Sequence, residues 1–202
     1  MNYQIRKVKV SDIRNYVELK HYSHNINGLK ITVCYGLFEA NTLKGAIIFG
    51  QLTTTAWKKK YGSSEGDVIE LRRMVVDDDC PRNTNTWFMS RALRDLRRNF
   101  NFKVCVSYAD PEHGHVGIVY QAANWVYVGT TASDTVLETP EGKRYHSRAL
   151  RTKYKGELKP FAKRLCQLRD AGLLKEIKVS GKHTYLYPLK GEISLTKEAY
   201  PK

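Results

Sequence analysis

An α/β fold is the architecture this sequence predicts: a mixed central sheet flanked by helices, then a basic C-terminal extension of one helix and a β-hairpin. Two observations carry that expectation. Strand-like and helical patterns alternate along the first two thirds of the chain, as they do where helices pack on a sheet. The last quarter changes character, with lysines and arginines crowding residues 144–164 ahead of a helical stretch.

Residues 5–10 alternate like an opening strand, and Ser11-Asp12 supplies an N-cap for a helix reaching about Lys20. A polar loop, His21-Tyr22-Ser23-His24-Asn25-Ile26-Asn27-Gly28, follows. Strand-like runs at 32–39 and 43–51 flank Ala40-Asn41-Thr42, a hairpin signal. Residues 57–66 form a basic excursion with glycine and serine. Residues 68–76 read as a central strand and 77–85 as a turn-rich connection. Residues 86–100 place Trp87, Phe88, Ala92, Leu93 and Leu96 on a helical stripe. A short buried strand at 103–108, a polar loop at 109–114, a short helix at 117–125 and a strand at 126–128 complete this part. The two strands around the 86–100 helix are expected to be parallel, joined by a right-handed crossover. Residues 160–174 form the last helix. Residues 174–179 and 183–189 look like a hairpin closed by Ser180-Gly181-Lys182, so that this end resembles part of a winged helix. The expected division is a core at 1–145 and an extension at 146–202, packed on it.

The chain has 202 residues, of which 42% are hydrophobic and 27% charged, enough for one sizeable core with an appendage. No apolar run approaches the roughly 18 residues of a spanning helix, and Met1-Asn2-Tyr3-Gln4-Ile5-Arg6 lacks a signal-peptide core. A cytoplasmic protein with no membrane partner is expected. Cys34, Cys80, Cys105 and Cys166 are far apart, which disfavours a disulfide framework or a zinc ribbon. Thirty-four lysines and arginines against 20 acids give a formal charge of +14. That surplus favours a polyanionic partner, nucleic acid ahead of an anionic membrane. Lys58, Lys59 and Lys60 in the basic excursion, with Arg148, Arg151 and Lys153 near the C-terminus, are the candidate phosphate contacts. A solvated charged face is the plainer alternative.

Three segments carry chemistry. Pro81-Arg82-Asn83-Thr84-Asn85-Thr86 leads into a helix, whose N-terminal N–H groups can hold an anion. With the strand end Val75-Val76, the residues Arg82, Asn83, Asn85 and Thr86 are the candidate cofactor-binding set. Ser107-Tyr108-Ala109-Asp110-Pro111-Glu112-His113-Gly114-His115 lies at the C-terminal end of a strand, where α/β folds place their sites. Asp110 can act as a base or hold a substrate amine. His113 and His115 can transfer protons, contact phosphate or ligate a metal such as iron or zinc. They can equally sit on a polar surface loop. In the third segment, Gly117-Ile118-Val119-Tyr120-Gln121-Ala122-Ala123-Asn124-Trp125, Tyr120 is either functional or a core aromatic with a satisfied hydroxyl.

The third segment resembles the last helix of GNAT acyltransferases, in which a tyrosine precedes a glycine-phenylalanine strand start. Asn124-Trp125 stands at that place here. The resemblance implies that Tyr120 protonates a departing coenzyme A thiolate. GNAT pyrophosphate loops carry glycines that this loop lacks, which leaves the mode of donor binding open.

Glu70-Leu71-Arg72-Arg73-Met74, Cys80-Pro81-Arg82-Asn83, Ser107-Tyr108-Ala109-Asp110 with His113-Gly114-His115, and Tyr120-Gln121-Ala122 with Asn124-Trp125 together resemble the phage Mom family of DNA modification proteins, and His21-Tyr22 resembles a family pair. The likeness runs over roughly residues 15–150. It implies a GNAT-like enzyme that turns adenine in double-stranded DNA into an N6-carbamoylmethyl or methylcarbamoyl-type derivative. Such DNA resists host restriction. The implied donor is an acyl-coenzyme A such as acetyl-coenzyme A, with a metal ion, iron among them, as a further possible cofactor. The implied catalytic residues are His21, Tyr22, Arg72, Asp110 and Tyr120. Two other readings compete: an acetyltransferase acting on a small-molecule or protein amine, and a DNA-binding protein without catalysis. A methyltransferase is disfavoured, because the sequence offers neither a glycine-rich S-adenosylmethionine loop nor a D/N-P-P-Y/F motif.

Overall fold

The structure is a computed structural model that describes residues 2–52, Tyr61 and residues 64–202. Contacts divide the chain into two compact units: residues 1–129 with 183–202, and residues 130–182. These boundaries differ from the expected one at 145/146. Lys58, Lys59 and Lys60 lie outside the described residues.

The first unit holds a seven-stranded sheet in the order β1-β2-β3-β4-β5-β12-β6. Its strands are β1 (Tyr3–Val8), β2 (Ile31–Glu39), β3 (Thr42–Gly50), β4 (Val68–Val76), β5 (Val104–Ala109), β6 (Val126–Thr130) and β12 (His183–Pro188). Strand periodicity sends alternate residues to opposite faces. On β2 and β3, Tyr35, Leu37, Ile47 and Phe49 enter one core, while Cys34, Ala46 and Ile48 enter the other. Helix α1 (Val10–Lys20) covers the second face with Ile13 and Val17. Helix α2 (Thr84–Asn99) covers the first with Phe88, Met89, Ala92, Leu93 and Leu96, a stripe at helical spacing. Each buried Ile, Val, Leu, Phe or Met side chain among them contributes about 1.5–3 kcal/mol. Polar ties fix both helices. Tyr35 Oη donates to Asp95 at 2.7 Å, and Lys7 pairs with the same carboxylate at 2.8 Å. Asp77, just past β4, accepts from Tyr16 Oη at 2.6 Å and pairs with Lys20.

Several local expectations shift. Helix α1 starts at Val10, not after Ser11-Asp12. Asp12 sits in its first turn and accepts from the Lys9 N–H at 2.9 Å, satisfying a donor ahead of the helix. The 40–42 connection is tighter than expected: Ala40 and Asn41 take φ of 45° and 70°, the paired left-handed conformations of a two-residue hairpin turn.

The C-terminal hairpin does not form. Within the first unit, β12 runs antiparallel to β5. Its Thr184, Tyr185 and Leu186 are all buried, which requires sheet neighbours and packing on both faces. In the second unit, β11 (Lys175–Val179) pairs with β7 (Asp134–Glu138), which also pairs with β8 (Arg144–His146). At the expected hairpin turn, a Cβ on Gly181 would lie 1.8 Å from the Thr131 carbonyl oxygen, so only glycine fits there. The second unit continues through a 3-10 turn (Ser147–Arg151), a mini-hairpin of β9 (Lys153–Tyr154) and β10 (Glu157–Leu158), and helix α4 (Pro160–Asp170). Leu137, Ala162 and Leu165 are buried within it.

Candidate active site

The site follows from how β4 and β5 pair. They are parallel, but the ladder covers only Val68–Glu70 against Val104–Val106. Beyond it the strands continue separately, β4 to Val76 and β5 to Ala109. A cleft of about 290 Å³ lies there, lined on one side by Leu71, Arg72, Arg73 and Met74 and on the other by Ser107, Tyr108, Ala109 and Asp110. Helix α3 (Ile118–Ala122) contributes Tyr120, and the loop after α1 contributes His21 and Tyr22. Gly117 enters α3 at φ 81°. A Cβ there would sit 2.4 Å from the Tyr185 ring, so glycine is required both by conformation and by space.

Tyr120 is buried, its ring 5.1 Å from Trp125 and 5.2 Å from Tyr185 between centroids. Its phenol oxygen lies 2.8 Å from Ser107 Oγ, which lies 3.1 Å from the Leu71 carbonyl oxygen. A carbonyl only accepts, so the single serine proton serves Leu71 and the phenol donates to Oγ. If the phenol loses its proton, the serine hydroxyl can turn and donate to the phenolate. Burial pushes the Tyr120 pKa well above that of an ordinary phenol, and the Ser107 bond opposes part of that rise.

Four rings gather at the rim. Tyr22 lies 4.3 Å from His21, 4.6 Å from His113 and 4.9 Å from His115, centroid to centroid. His21 Nδ1 accepts the Ser23 backbone N–H at 3.1 Å, so the neutral ring carries its proton on Nε2 and offers a donor there. Burial, then Arg73 and neighbouring histidines, push its pKa down from 6.5 to about 4. Between those values the unfolded chain takes up a proton that the folded chain refuses. Stability is therefore full above pH 6.5 and falls as pH drops towards 4, by up to about 3 kcal/mol. Urea melts from pH 7.5 to 4.5 should show that fall. His21→Asn, which keeps an acceptor for Ser23, should flatten it; an equal fall in the variant would assign it to other groups.

Two arginines differ in what they have left to give. Arg73 donates from Nε and Nη2 to the Asn25 carbonyl oxygen, at 3.2 and 3.0 Å, and from Nη1 to that of Arg72. It is spent on holding the 21–25 loop. Arg72 is nearly buried and pairs through Nη1 with Glu70 Oε2 at 2.7 Å. Its Nε is buried with no hydrogen-bond partner among the described residues. A buried donor left unmade costs about 1–3 kcal/mol, so this N–H suits an acceptor that arrives with a ligand. Asp110 is buried, lines the cleft, and caps the Pro111–His113 turn by accepting the Glu112 N–H at Oδ1.

Known proteins resemble this chain in sequence and in fold. The Mom protein family matches residues 2–202. The chain belongs to the Mom protein family. Among its relatives, the methylcarbamoylase Mom of Escherichia phage Mu is 31% identical over 137 residues, which is 66% of this chain and 55% of that protein. The match thus spans little more than half of that relative's length. Solved structures agree on the fold. A Bacillus subtilis acetyltransferase in complex with CoA superposes with a TM-score of 0.51 at 11% identity, covering 93% of this chain and 97% of that one. A Salmonella typhimurium protein, described as an acetyltransferase with its cofactor acetyl-CoA, gives 0.51 at 11% identity over 97% and 99%. The fold of this Mom-family chain is GNAT-like.

Of the residues expected in the Mom-family site, His21, Tyr22, Arg72, Asp110, Tyr120 and His115 line one cleft, and His113 stands beside Tyr22 at its rim. Among the described residues, no group of three or more histidines, cysteines or acids is placed to hold a metal. The loop expected to hold a cofactor leads into α2. Asn83 caps α2 at φ 72°, the left-handed conformation that glycine would otherwise supply and that asparagine tolerates best among other residues. The one left-handed position at the start of α2 is thus filled without a glycine. Asn85 and Thr86, in the first helical turn, have no acceptor within the helix for their N–H groups. A groove of about 660 Å³ beside them is lined by Asn83, Thr86, Arg91, Arg94 and Arg97, a cationic channel suited to a polyphosphate. Arg82 is exposed, and Val75 and Val76 pair with β3. Ser107, Arg73 and Glu70 were not singled out from the sequence. Each stood inside one of the motifs; Ser107 and Arg73 act on partners 13 to 48 residues away, whereas Glu70 pairs with Arg72 two positions along the same strand.

Proposed function

We propose that this chain is a phage DNA-modifying transferase that works in the host cytoplasm on adenine N6 in duplex DNA. The added group is of the carbamoylmethyl or methylcarbamoyl type, and it protects the DNA from host restriction. The observation that carries this reading is the meeting of Asp110, the Tyr120–Ser107 hydroxyl pair and the His21–Tyr22–His113–His115 ring cluster at one small cleft, in a Mom-family chain with +14 charge. The phage Mu relative is named for methylcarbamoyl transfer, which supports the group.

At about 290 Å³ the cleft is at the small end of ligand pockets, suited to one base and its reacting group. Adenine N6 is paired inside a duplex, so the base must be flipped out to reach it. Tyr22 and the histidine rings then offer a face for stacking. The N6 lone pair is delocalised into the purine ring, so the amine attacks only if its proton leaves as the new bond forms. Asp110 takes that proton. His21, with its proton on Nε2, donates a hydrogen bond to the substrate and is not the base. Arg72 Nε–H stabilises an oxygen on the transferred group. A carbon–nitrogen bond forms at N6, the bond from that carbon to its donor breaks, and the leaving group takes the Tyr120 proton, which solvent later restores.

The channel beside α2 fits the phosphates of a coenzyme A, and the Bacillus subtilis neighbour was solved with that cofactor. For a methylcarbamoyl group the donor would be a methylcarbamoyl thioester of coenzyme A, which brings the amide nitrogen with it and loses coenzyme A as the thiol; a carbamoylmethyl group, bonded through its CH2, would need a donor bearing its leaving group on that carbon. Nucleoside mass spectrometry on plasmid DNA from cells expressing the protein should show a new, heavier deoxyadenosine. Unmodified DNA from cells full of soluble protein would sink the reading and favour an acetyltransferase acting on a small amine.

A further inference from the structure

The unit at residues 130–182 has a charge distribution of its own. It carries thirteen lysines and arginines against six acids, half of the chain's +14. Five of those acids are already matched inside the unit: Asp134 with His146, Glu138 with Arg144, Glu141 with Arg164, Glu157 with Lys163 and Asp170 with Arg169. The surplus is not spread evenly. Arg148, Arg151, Lys153, Lys155 and Lys159 are all exposed, have no ion pair among the described residues, and fall within twelve consecutive positions. The fold draws these positions together, because the Lys159 N–H donates to the Thr152 carbonyl oxygen at 2.9 Å across the mini-hairpin.

That mini-hairpin is tightly turned. Lys155 and Gly156, at φ 49° and 86°, form a two-residue turn with both residues left-handed. Tyr154 is 65% exposed at its tip, with Lys155 Nζ 5.6 Å from the ring centre. Beside the hairpin runs a groove of about 560 Å³, lined by Arg151, Lys153, Leu150 and Leu158 together with the Lys163–Glu157 ion pair. Cations beside a groove, next to an exposed aromatic tip, suit a sugar-phosphate backbone. An anionic bilayer would ask for a run of apolar anchors beside the cations. Tyr154 instead brings a hydroxyl suited to sugar and phosphate.

We propose that this unit is the duplex-gripping part of the chain, with the sugar-phosphate backbone along Arg148, Arg151, Lys153, Lys155 and Lys159 and Tyr154 against the groove edge. The assignment rests on the reading that the substrate is DNA. It gives the cleft in the other unit only a local task, that of handling a single base.

The test uses the full-length protein and a labelled 20-base-pair duplex, with affinity read by fluorescence anisotropy across a salt series. Each phosphate contact contributes about 0.9 to the slope of log affinity against log salt. The triple variant Arg151→Gln, Lys153→Gln, Lys155→Gln should flatten that slope by about 2–3. Tyr154→Ala should weaken binding at unchanged slope. The control is Lys175→Gln with Lys178→Gln, exposed lysines of the same unit on β11. It should bind as the unaltered protein does. The assignment is overturned if the triple variant, folded by thermal melt, keeps the original slope and affinity, or if the control loses as much per charge. It is also overturned if the triple variant loses binding to phosphatidylserine vesicles but not to the duplex. Nucleoside mass spectrometry keeps the two readings apart. Duplex binding lost in the triple variant, with DNA never modified, would uphold the grip and reject the transfer. Unchanged binding with modified DNA would do the reverse.

Discussion

Asp110→Asn should lower adenine modification by about two to four orders of magnitude, the usual worth of a positioned general base, while leaving the protein folded. The substitution separates the two tasks of this side chain. Its structural task is to cap the Pro111–His113 turn by accepting the Glu112 N–H at 3.2 Å. An asparagine carbonyl oxygen accepts that bond equally well. Its chemical task needs a carboxylate, because an amide oxygen does not hold a proton taken from N6. Asp110→Ala loses both, and adds about 1 kcal/mol of destabilisation from the missing cap. The comparison to make is modified deoxyadenosine per cell, by mass spectrometry, at matched soluble protein. Full modification by the asparagine variant would move the base elsewhere in the cleft. Equal loss in both variants, with only the alanine variant less stable, is the expected pattern.

What the sequence made legible was mainly what local pattern determines. The near-continuous apolar runs of β2 and β3 mark strands buried on both faces, and the stripe Phe88–Ala92–Leu96 marks the covering face of α2, so a sheet covered by helices could be expected. The strand β12 was recognised as a strand but given the wrong partner. Its partner, β5, lies about eighty residues earlier, and pairing at that distance leaves no trace in spacing. The cleft is of the same kind. Asp110 and Tyr120 stood out within short motifs, whereas Ser107 gains its role from Leu71 and Tyr120 at once, across separations of 36 and 13 residues. The glycine-free loop at 81–86 shows the same limit of local pattern. The backbone there needs one left-handed residue, and Asn83 supplies it.

Tyr120→Phe is expected to be nearly as damaging to the reaction, by about two to four orders of magnitude, and nearly silent in stability. The ring contacts with Trp125 and Tyr185 persist in phenylalanine. Ser107 still has the Leu71 carbonyl oxygen to donate to, so no polar group is orphaned and the change costs about 1 kcal/mol at most. What disappears is the proton for the leaving group. Burial keeps that proton on the phenol until negative charge develops beside it. The deficit should therefore shrink when the donor carries a more acidic thiol, which departs without help. Ser107→Ala should show the reverse balance. It leaves the phenol in place but removes the hydroxyl that receives its proton bond and can turn to steady the phenolate. It also removes the hydrogen bond to the buried Leu71 carbonyl, at about 0.5–1.5 kcal/mol. A smaller loss of rate with a larger loss of stability is the signature of a positioning residue. A Tyr120→Phe variant with undiminished modification would return Tyr120 to the core and leave the leaving group to solvent.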